Sequence, residues 1–163
     1  MSELLYAIGR ALIPVVFIVF GLQHFIGVQS FADNIAAANL PLLPQVEQYL
    51  PISGPLALGY LVAVIEIIAG VLVFVGFLTR IAAFVLLVFC ALTIYFVHHF
   101  WDMEGATQTL NEIQALKNLA LMGGLLLLIA KGAGAFSLDG HGEDAGHSTA
   151  AHPAPAAAQP EHA

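Results

Sequence analysis

The stretch that decides the fold is residues 55–77, which read PLALGYLVAVIEIIAGVLVFVGF. Glu66 is its one charged side chain. A helix needs about 20 apolar residues to cross the hydrocarbon core of a bilayer, because each residue adds only about 1.5 Å. The run is apolar on every side and lacks the alternation of a barrel strand. It therefore predicts a transmembrane helix.

Three further runs of similar length and character occur at residues 4–25, 81–100 and 112–130. Hydrophobic residues make up 60% of the chain and charged residues 9%, whereas a soluble domain carries about 25% charged residues. So few charges cannot cover a surface that faces water. We therefore predict an all-α fold, a bundle of four transmembrane helices without strands, that contacts the lipid bilayer directly.

The first run also has the basic residue and apolar stretch of a signal peptide. No small-x-small cleavage site follows it, and the helical pattern continues through residues 21–25. We interpret this run as a retained transmembrane helix.

The basic residues predict how the bundle is oriented. Arg10, Arg80 and Lys131 flank the predicted helices at one end, here called the terminal end because both termini lie there. The loops at the opposite end, the loop end, are residues 26–54 and 101–115, and they contain acids but no lysine or arginine. Cytoplasmic loops are enriched in lysine and arginine. Both termini are therefore predicted to be cytoplasmic.

The segments outside the helices differ in character. The loop after the first helix is rich in proline and apolar residues, which predicts short helical pieces that lie at the membrane interface or fold over the mouth of the bundle. Residues 140–163 are rich in alanine, proline, histidine and acids, which predicts a disordered tail after a membrane domain of residues 1–139. The spacing of the tail histidines matches no structural metal site, so no metal is predicted.

Two classes of partner or chemistry are disfavoured by composition. The chain has no basic patch, so nucleic acid is not a predicted partner. Cys90 is its single cysteine, which rules out a disulfide within the chain and a CxxC redox pair.

A few polar side chains interrupt the apolar runs. Glu66 lies in the middle of the second helix, where a charge costs about 2.5–3.5 kcal/mol on insertion scales. Counted along the helices, His24, His98 and Lys117 lie toward the loop end, roughly 10 Å or more from the midplane. The terminal half of the runs is almost wholly aliphatic. This asymmetry predicts a polar pocket that opens at the loop end.

These polar residues are the candidate site. Lys117 is predicted to pair with Glu66, directly or through a water, and the histidines to exchange protons near neutral pH. Two other interpretations stay open: the histidines face lipid headgroups, and Glu66 makes a hydrogen bond that holds the helices together. The candidates for catalysis are Glu66, His24, His98 and Lys117, and those for ligand binding are Gln23, His99 and Asn118.

Several of these residues occur in a pattern that resembles the bacterial DoxX family over residues 3–139. Residues 117–125 read KNLALMGGL and are followed by Gly134 and by FSLD at 136–139, similar to the last helix and the C-terminal signature of that family. The upstream residues that also match are Arg10, Gly21 and His24, then Glu66, Gly70 and Gly76, and finally Arg80.

The resemblance implies a four-helix protein of the bacterial inner membrane. DoxX relatives include the small membrane subunit of a thiosulfate–quinone oxidoreductase and a mycobacterial protein that assembles with a superoxide dismutase and a thiol sulfurtransferase. The lone Cys90 and the histidine-containing tail depart from those relatives. The resemblance therefore does not carry a thiol mechanism over to this chain.

The predicted function is a membrane component of a redox or sulfur-oxidation system, with a quinone or a small sulfur compound in the pocket. Glu66 would exchange the proton, His24 and His98 would hydrogen-bond the ligand's oxygens, and Lys117 would favour an anion. No haem, flavin or iron–sulfur motif is present, so a partner redox protein must supply the electrons. The alternative is a non-catalytic scaffold or stability factor that recruits partner enzymes. A carrier built as a homo-oligomer ranks third.

Overall fold

The computed structural model describes residues 1–38, 40–41 and 43–139, and the predicted tail lies outside them. All regular elements in the described residues are helical. The helices are α1 (Ser2–Leu12), α2 (Val15–Ile26), α3 (Val28–Ala37), α4 (Leu43–Glu47), α5 (Gly54–Val75), α6 (Thr79–Phe96) and α7 (Gly105–Lys131), with a 3₁₀ turn at Phe100–Asp102.

Among the described residues, four segments are long and apolar enough to cross a membrane: Ser2–Ile26, Gly54–Val75, Thr79–Asp102 and Gly105–Lys131. Large apolar side chains are exposed along all four, as a lipid environment permits. The predicted four-helix transmembrane bundle is confirmed.

The first span consists of two helices, α1 and α2, that are interrupted at residues 13–14. Pro14 has no N–H to donate, and its ring clashes with the carbonyl four residues earlier, so α1 ends before it and α2 begins after it. Helical hydrogen bonds continue on both sides, from the Ile13 N–H to the Gly9 carbonyl at 3.2 Å and from the Ile18 N–H to the Pro14 carbonyl at 3.0 Å. The two helices therefore form one span.

The loops contain more helix than their hydropathy indicates. The short helical pieces predicted after the first span are present as α3 and α4. The helix that forms the fourth span begins at Gly105, seven residues before the apolar run predicted to start near residue 112. Its 27 residues extend over about 40 Å, longer than the hydrocarbon core of about 30 Å. The first turns of α7 are polar because they extend beyond the apolar layer.

The bundle is built from two close helix pairs, α2 with α5 and α6 with α7. Glycines set the distance in the first pair: a Cβ on Gly21 would lie 2.9 Å from Cβ of Glu66, and one on Gly70 would lie 2.8 Å from Cγ1 of Ile18. The pairs share a core toward the terminal end, formed by Phe17, Ala69, Val73, Ala82, Ala83, Leu86, Cys90, Leu125 and Leu128.

A C-terminal strap, residues 132–139, folds back across the terminal end of the bundle. The Tyr6 hydroxyl donates to the carbonyl of Gly132 at its start. The Leu138 N–H donates to the Val75 carbonyl at 3.3 Å, and the Asp139 N–H donates to the Gly76 carbonyl at 2.9 Å. The strap thus joins the first span to the turn between α5 and α6.

Asp139 at the end of the strap caps α6. Its carboxylate accepts hydrogen bonds from the Leu78 N–H at 2.9 Å, the Thr79 N–H at 3.1 Å and the Thr79 hydroxyl at 3.2 Å. The first N–H groups of a helix lack partners within it, and a carboxylate there also interacts favourably with the helix dipole. Asp139 therefore acts as an N-cap supplied from a distant part of the chain.

The three basic residues used to orient the bundle do lie at one end. Lys131 Nζ is 3.7 Å from Oε1 of Glu3, and the Arg80 side chain lies against Gly132. Arg10 donates to the carbonyl of Phe136 in the strap. The shared end is thus confirmed, and its cytoplasmic location stays a prediction.

Candidate functional site

The central polar contact of the membrane domain joins His24 on α2 to Glu66 on α5. Nδ1 of His24 lies 2.7 Å from Oε2 of Glu66. The Glu66 side chain is only 3% exposed, and the His24 side chain is 26% exposed. The pair therefore consists of a buried carboxylate and a partly accessible imidazole.

The close approach of α2 and α5 at Gly21 places these two side chains together. Gly21 contacts Glu66 directly, so the two residues lie at the same height along the axis of the bundle. His24, three residues farther along α2, lies about 4.5 Å nearer the loop end, and the Glu66 side chain extends to meet it.

His24 therefore lies closer to the middle of the bundle than is predicted by counting residues along the first span. That prediction takes Leu4 as the residue at which the first span enters the membrane. In the structure Arg10, not Leu4, is level with the end of α5, because its guanidinium lies against Gly76.

Aromatic rings hold the imidazole in place. The Phe31 ring on α3 stacks on His24 with ring centroids 3.8 Å apart and an interplanar angle of 8°. Phe20 on α2 lies 6.2 Å away at 25°. The ring can form one hydrogen bond at each nitrogen, and Nδ1 already faces Glu66. Among the described residues Nε2 has no hydrogen-bond partner.

The other candidate residues form separate contacts at the loop end of α6 and α7. Nδ1 of His98 lies 3.0 Å from Oδ1 of Asn111, and Nδ2 of Asn118 donates to the Thr93 hydroxyl at 3.3 Å. Nε2 of His99 lies 3.7 Å from Oδ1 of Asp102.

Lys117 and Gln23 lie on exposed surfaces. Lys117 donates to the Gln114 side chain on its own helix, and Gln23 is exposed on α2.

The predicted pairing of Glu66 with Lys117 is therefore wrong. Glu66 belongs to the α2–α5 pair and Lys117 to α7, and α7 packs mainly on α6. Hydropathy gives the depth of a residue but not the direction in which it points around its helix. The candidates thus divide between two helix pairs instead of lining one chamber.

Two grooves lie at opposite ends of the bundle. The one at the loop end has a volume of about 240 Å³ and is lined by Ala38, Tyr95, Phe96, His99, Trp101 and Asp102. Of the seven candidate residues, His99 alone lines this groove. The groove at the terminal end has a volume of about 720 Å³ and includes Thr79, Arg80, Lys131 and Asp139.

The terminal end contains a cluster of buried polar residues that was not predicted from the sequence. Arg10, Thr79 and Ser137 are all buried. Arg10 lies inside an apolar run, which is a strong sequence signal for a buried partner. The aspartate of the FSLD segment at 136–139 follows the last span closely enough to fold back on the bundle.

No metal centre is evident in the part of the chain that the structure describes. No three His, Cys, Asp or Glu side chains come together there as a ligand set. The histidines of the predicted tail lie outside the described residues.

The His24–Glu66 pair has the chemistry of a proton-exchange site. When Glu66 is ionised it can only accept, in which case Nδ1–H of His24 donates to it and the lone pair of Nε2 is available. A proton taken up at Nε2 would give an imidazolium whose charge the adjacent carboxylate stabilises. The same pair also links α2 to α5.

Comparison with known proteins agrees with this fold. The family model of DoxX matches residues 5–99, and that of the SURF4 family matches residues 56–144. The inner membrane protein YphA of Escherichia coli (strain K12) is 30% identical over 135 residues, which cover 83% of this chain and 88% of YphA. The inner membrane protein YqjF of the same organism is 29% identical over 134 residues, which cover 81% of this chain and 87% of YqjF. No solved structure matches the chain.

Proposed function

The chain belongs to the DoxX family and is a multi-pass inner membrane protein, and from this premise we propose that it is the membrane component of a quinone- or sulfur-linked redox system. The observation that carries the proposal is the 2.7 Å contact between His24 and the buried Glu66. In this proposal the pair exchanges a proton with a ligand at the partly exposed edge of His24.

A quinol fits the surroundings of this edge better than a small hydrophilic ion does. Its apolar ring and tail suit a position beside Phe20 and Phe31, and its hydroxyl can donate to Nε2 of His24. Oxidation of a quinol releases two protons and two electrons. His24 accepts the first proton while Glu66 stabilises the resulting imidazolium. The second proton passes to water, and the electrons pass to a partner redox protein.

The roles predicted for His98 and Lys117 are not needed in this scheme. His98 is engaged with Asn111, and Lys117 lies on an exposed face of α7. Gln23, one residue before His24, and Asn118 stay predicted ligand-binding residues.

Replacing Glu66 by glutamine is expected to lower quinol oxidation at least about a hundredfold, as typical for loss of an acid–base partner. Glutamine keeps the size of the side chain, but it cannot neutralise an imidazolium. The measurement is the rate at which membranes containing each variant oxidise a short-chain quinol, compared with membranes that lack the protein.

Glu112→Gln is the matched control, because Glu112 is exposed on α7 and the change in charge is the same. It should oxidise quinol at the original rate. An unchanged rate in Glu66→Gln would refute the role of the pair, and a loss in both variants would show that the effect is not specific to the buried carboxylate.

The proposed orientation places both termini in the cytoplasm, with the His24 edge toward the periplasm. Alkaline phosphatase fused after Lys131 should be inactive and a fluorescent protein at the same position should fluoresce, because the first requires export and the second requires the cytoplasm. Active phosphatase at this position would reverse the orientation.

A membrane scaffold is the second candidate function. The observation that favours it is the position of the pair between two closely packed helices, where it stabilises the bundle whether or not a ligand binds. Purification of the chain from native membranes, followed by mass spectrometry of bound lipids and proteins, separates the two functions. A bound quinone supports the redox system, and a stoichiometric enzyme partner without any quinone supports the scaffold.

A further inference from the structure

The groove at the terminal end has features that neither the redox proposal nor the fold requires. It lies between the start of α6 and the C-terminal strap and has a volume of about 720 Å³. Arg80 and Lys131 line it from α6 and α7, and residues 132–135 of the strap form one wall.

The basic residues of the chain are concentrated at this groove. The chain has only four lysine and arginine residues, and two of them line this one groove. Asp139 also lines it, so the lining residues carry a net charge of +1; the Asp139 carboxylate accepts hydrogen bonds from Leu78 and Thr79 at the start of α6. Glu3 lies 3.7 Å from Lys131 and offsets part of that charge. Both the Lys131–Glu3 pair and Arg80 are exposed, so they remain accessible to a ligand.

Arg10 adds a third cation close to the groove. It is 5% exposed and donates through Nη2 to the carbonyl of Phe136, one residue beyond the wall formed by residues 132–135. Its Nε and Nη1 are buried and have no hydrogen-bond partner among the described residues. A buried cation with unpaired donors is costly, so an anion nearby would stabilise this end of the bundle.

The position of the groove points to a lipid rather than to a free ion. It lies where the third span begins and the fourth ends, which is the headgroup level of a bilayer. Leu78 and Ile81 line it as well, and both are exposed apolar side chains. An acyl chain can therefore continue from the groove onto the lipid-facing surface of α6.

We propose that this groove binds the phosphate of an anionic phospholipid, with Arg80 and Lys131 as its direct partners. Basic pockets at the ends of transmembrane helices are suited to anionic headgroups. The positive electrostatic potential from Arg10 strengthens the site without requiring contact with the phosphate. Bound lipid would also fill the space between α6 and the strap.

The test is native mass spectrometry of the full chain, released from a non-ionic detergent and titrated with phosphatidylglycerol or with phosphatidylcholine. The original chain should bind one phosphatidylglycerol in preference to phosphatidylcholine. The double variant Arg80→Gln/Lys131→Gln should bind phosphatidylglycerol at least about tenfold more weakly, since each cation near an anionic headgroup contributes roughly a fivefold change in affinity.

Three comparisons make the result specific. Lys117→Gln removes a cation from the same chain away from the groove and should not change binding. Arg80→Lys/Lys131→Arg keeps both charges and should retain the preference, which separates loss of charge from loss of fold. Inorganic phosphate at millimolar concentration should not displace the lipid, because it lacks the acyl chains that contact α6.

The proposal is overturned if the double glutamine variant binds phosphatidylglycerol as the original chain does, or if Lys117→Gln weakens binding equally. Displacement by inorganic phosphate would overturn the lipid as ligand and identify a free anion instead.

Discussion

Gly76→Ala is expected to displace the C-terminal strap from the turn between α5 and α6 and to lower the free energy of unfolding by about 4 kcal/mol. Gly76 has a φ of +73°, and a Cβ there would lie 1.6 Å from Nη1 of Arg10 and 2.4 Å from Cβ of Ser137. The Arg10 side chain is flexible enough to move. Cβ of Ser137 is attached to the strap backbone, so the strap must lift and break the hydrogen bond from Asp139 to Gly76.

Two other glycines separate the sources of this cost. Gly105 has a φ of +62°, and a Cβ there would have nothing within 4 Å, so Gly105→Ala should show only the backbone strain, about 1 kcal/mol. Gly123 lies inside α7 with open space around it, so Gly123→Ala should be neutral or slightly stabilising.

Denaturant unfolding in detergent micelles, followed by circular dichroism, measures all three variants. A Gly76→Ala protein as stable as Gly105→Ala would show that the strap does not pack on Gly76.

His24→Phe is expected to lower the free energy of unfolding by about 3 kcal/mol, because it leaves the buried Glu66 carboxylate without its partner. Glu66→Leu alone should cost about 1 kcal/mol, since it removes one hydrogen bond and leaves a partly exposed imidazole. The double variant should be more stable than His24→Phe alone. The energy of interaction between the two residues is then more than about 1 kcal/mol.

A second double-mutant cycle, between His98 and Glu66, provides the control. His98 hydrogen-bonds Asn111 on the other helix pair, so the effects of His98→Phe and Glu66→Leu should add. Additive effects for His24 and Glu66 would contradict the contact itself. A strong interaction combined with unchanged quinol oxidation in Glu66→Gln would assign the pair to helix packing and favour the scaffold.

Much of the fold could be predicted because the relevant signals are local. A run such as residues 55–77 is apolar over the length of a bilayer wherever the rest of the chain lies, and lipid is its natural solvent. The start of α7 was the exception, because hydropathy reports where a helix meets lipid and not where its hydrogen bonds begin.

The candidate site was predicted in part. Glu66 and His24 were both selected because an ionisable group in an apolar helix needs a partner. Their contact could not be derived, since it depends on how far α2 is shifted along α5. That shift follows from Gly21 and Gly70 at the helix interface and from Arg10 at the level of Gly76.

By itself the sequence determined that this chain spans a membrane four times and that it contains a few polar side chains which require partners. These properties follow from the free energy of transferring each side chain into lipid, which is summed along each helix. Only the tertiary structure decided that Glu66 pairs with His24, that Lys117 lies apart from both, and that Asp139 caps α6. Those contacts depend on the rotation and shift of whole helices, which are set by side-chain packing between residues distant in the chain.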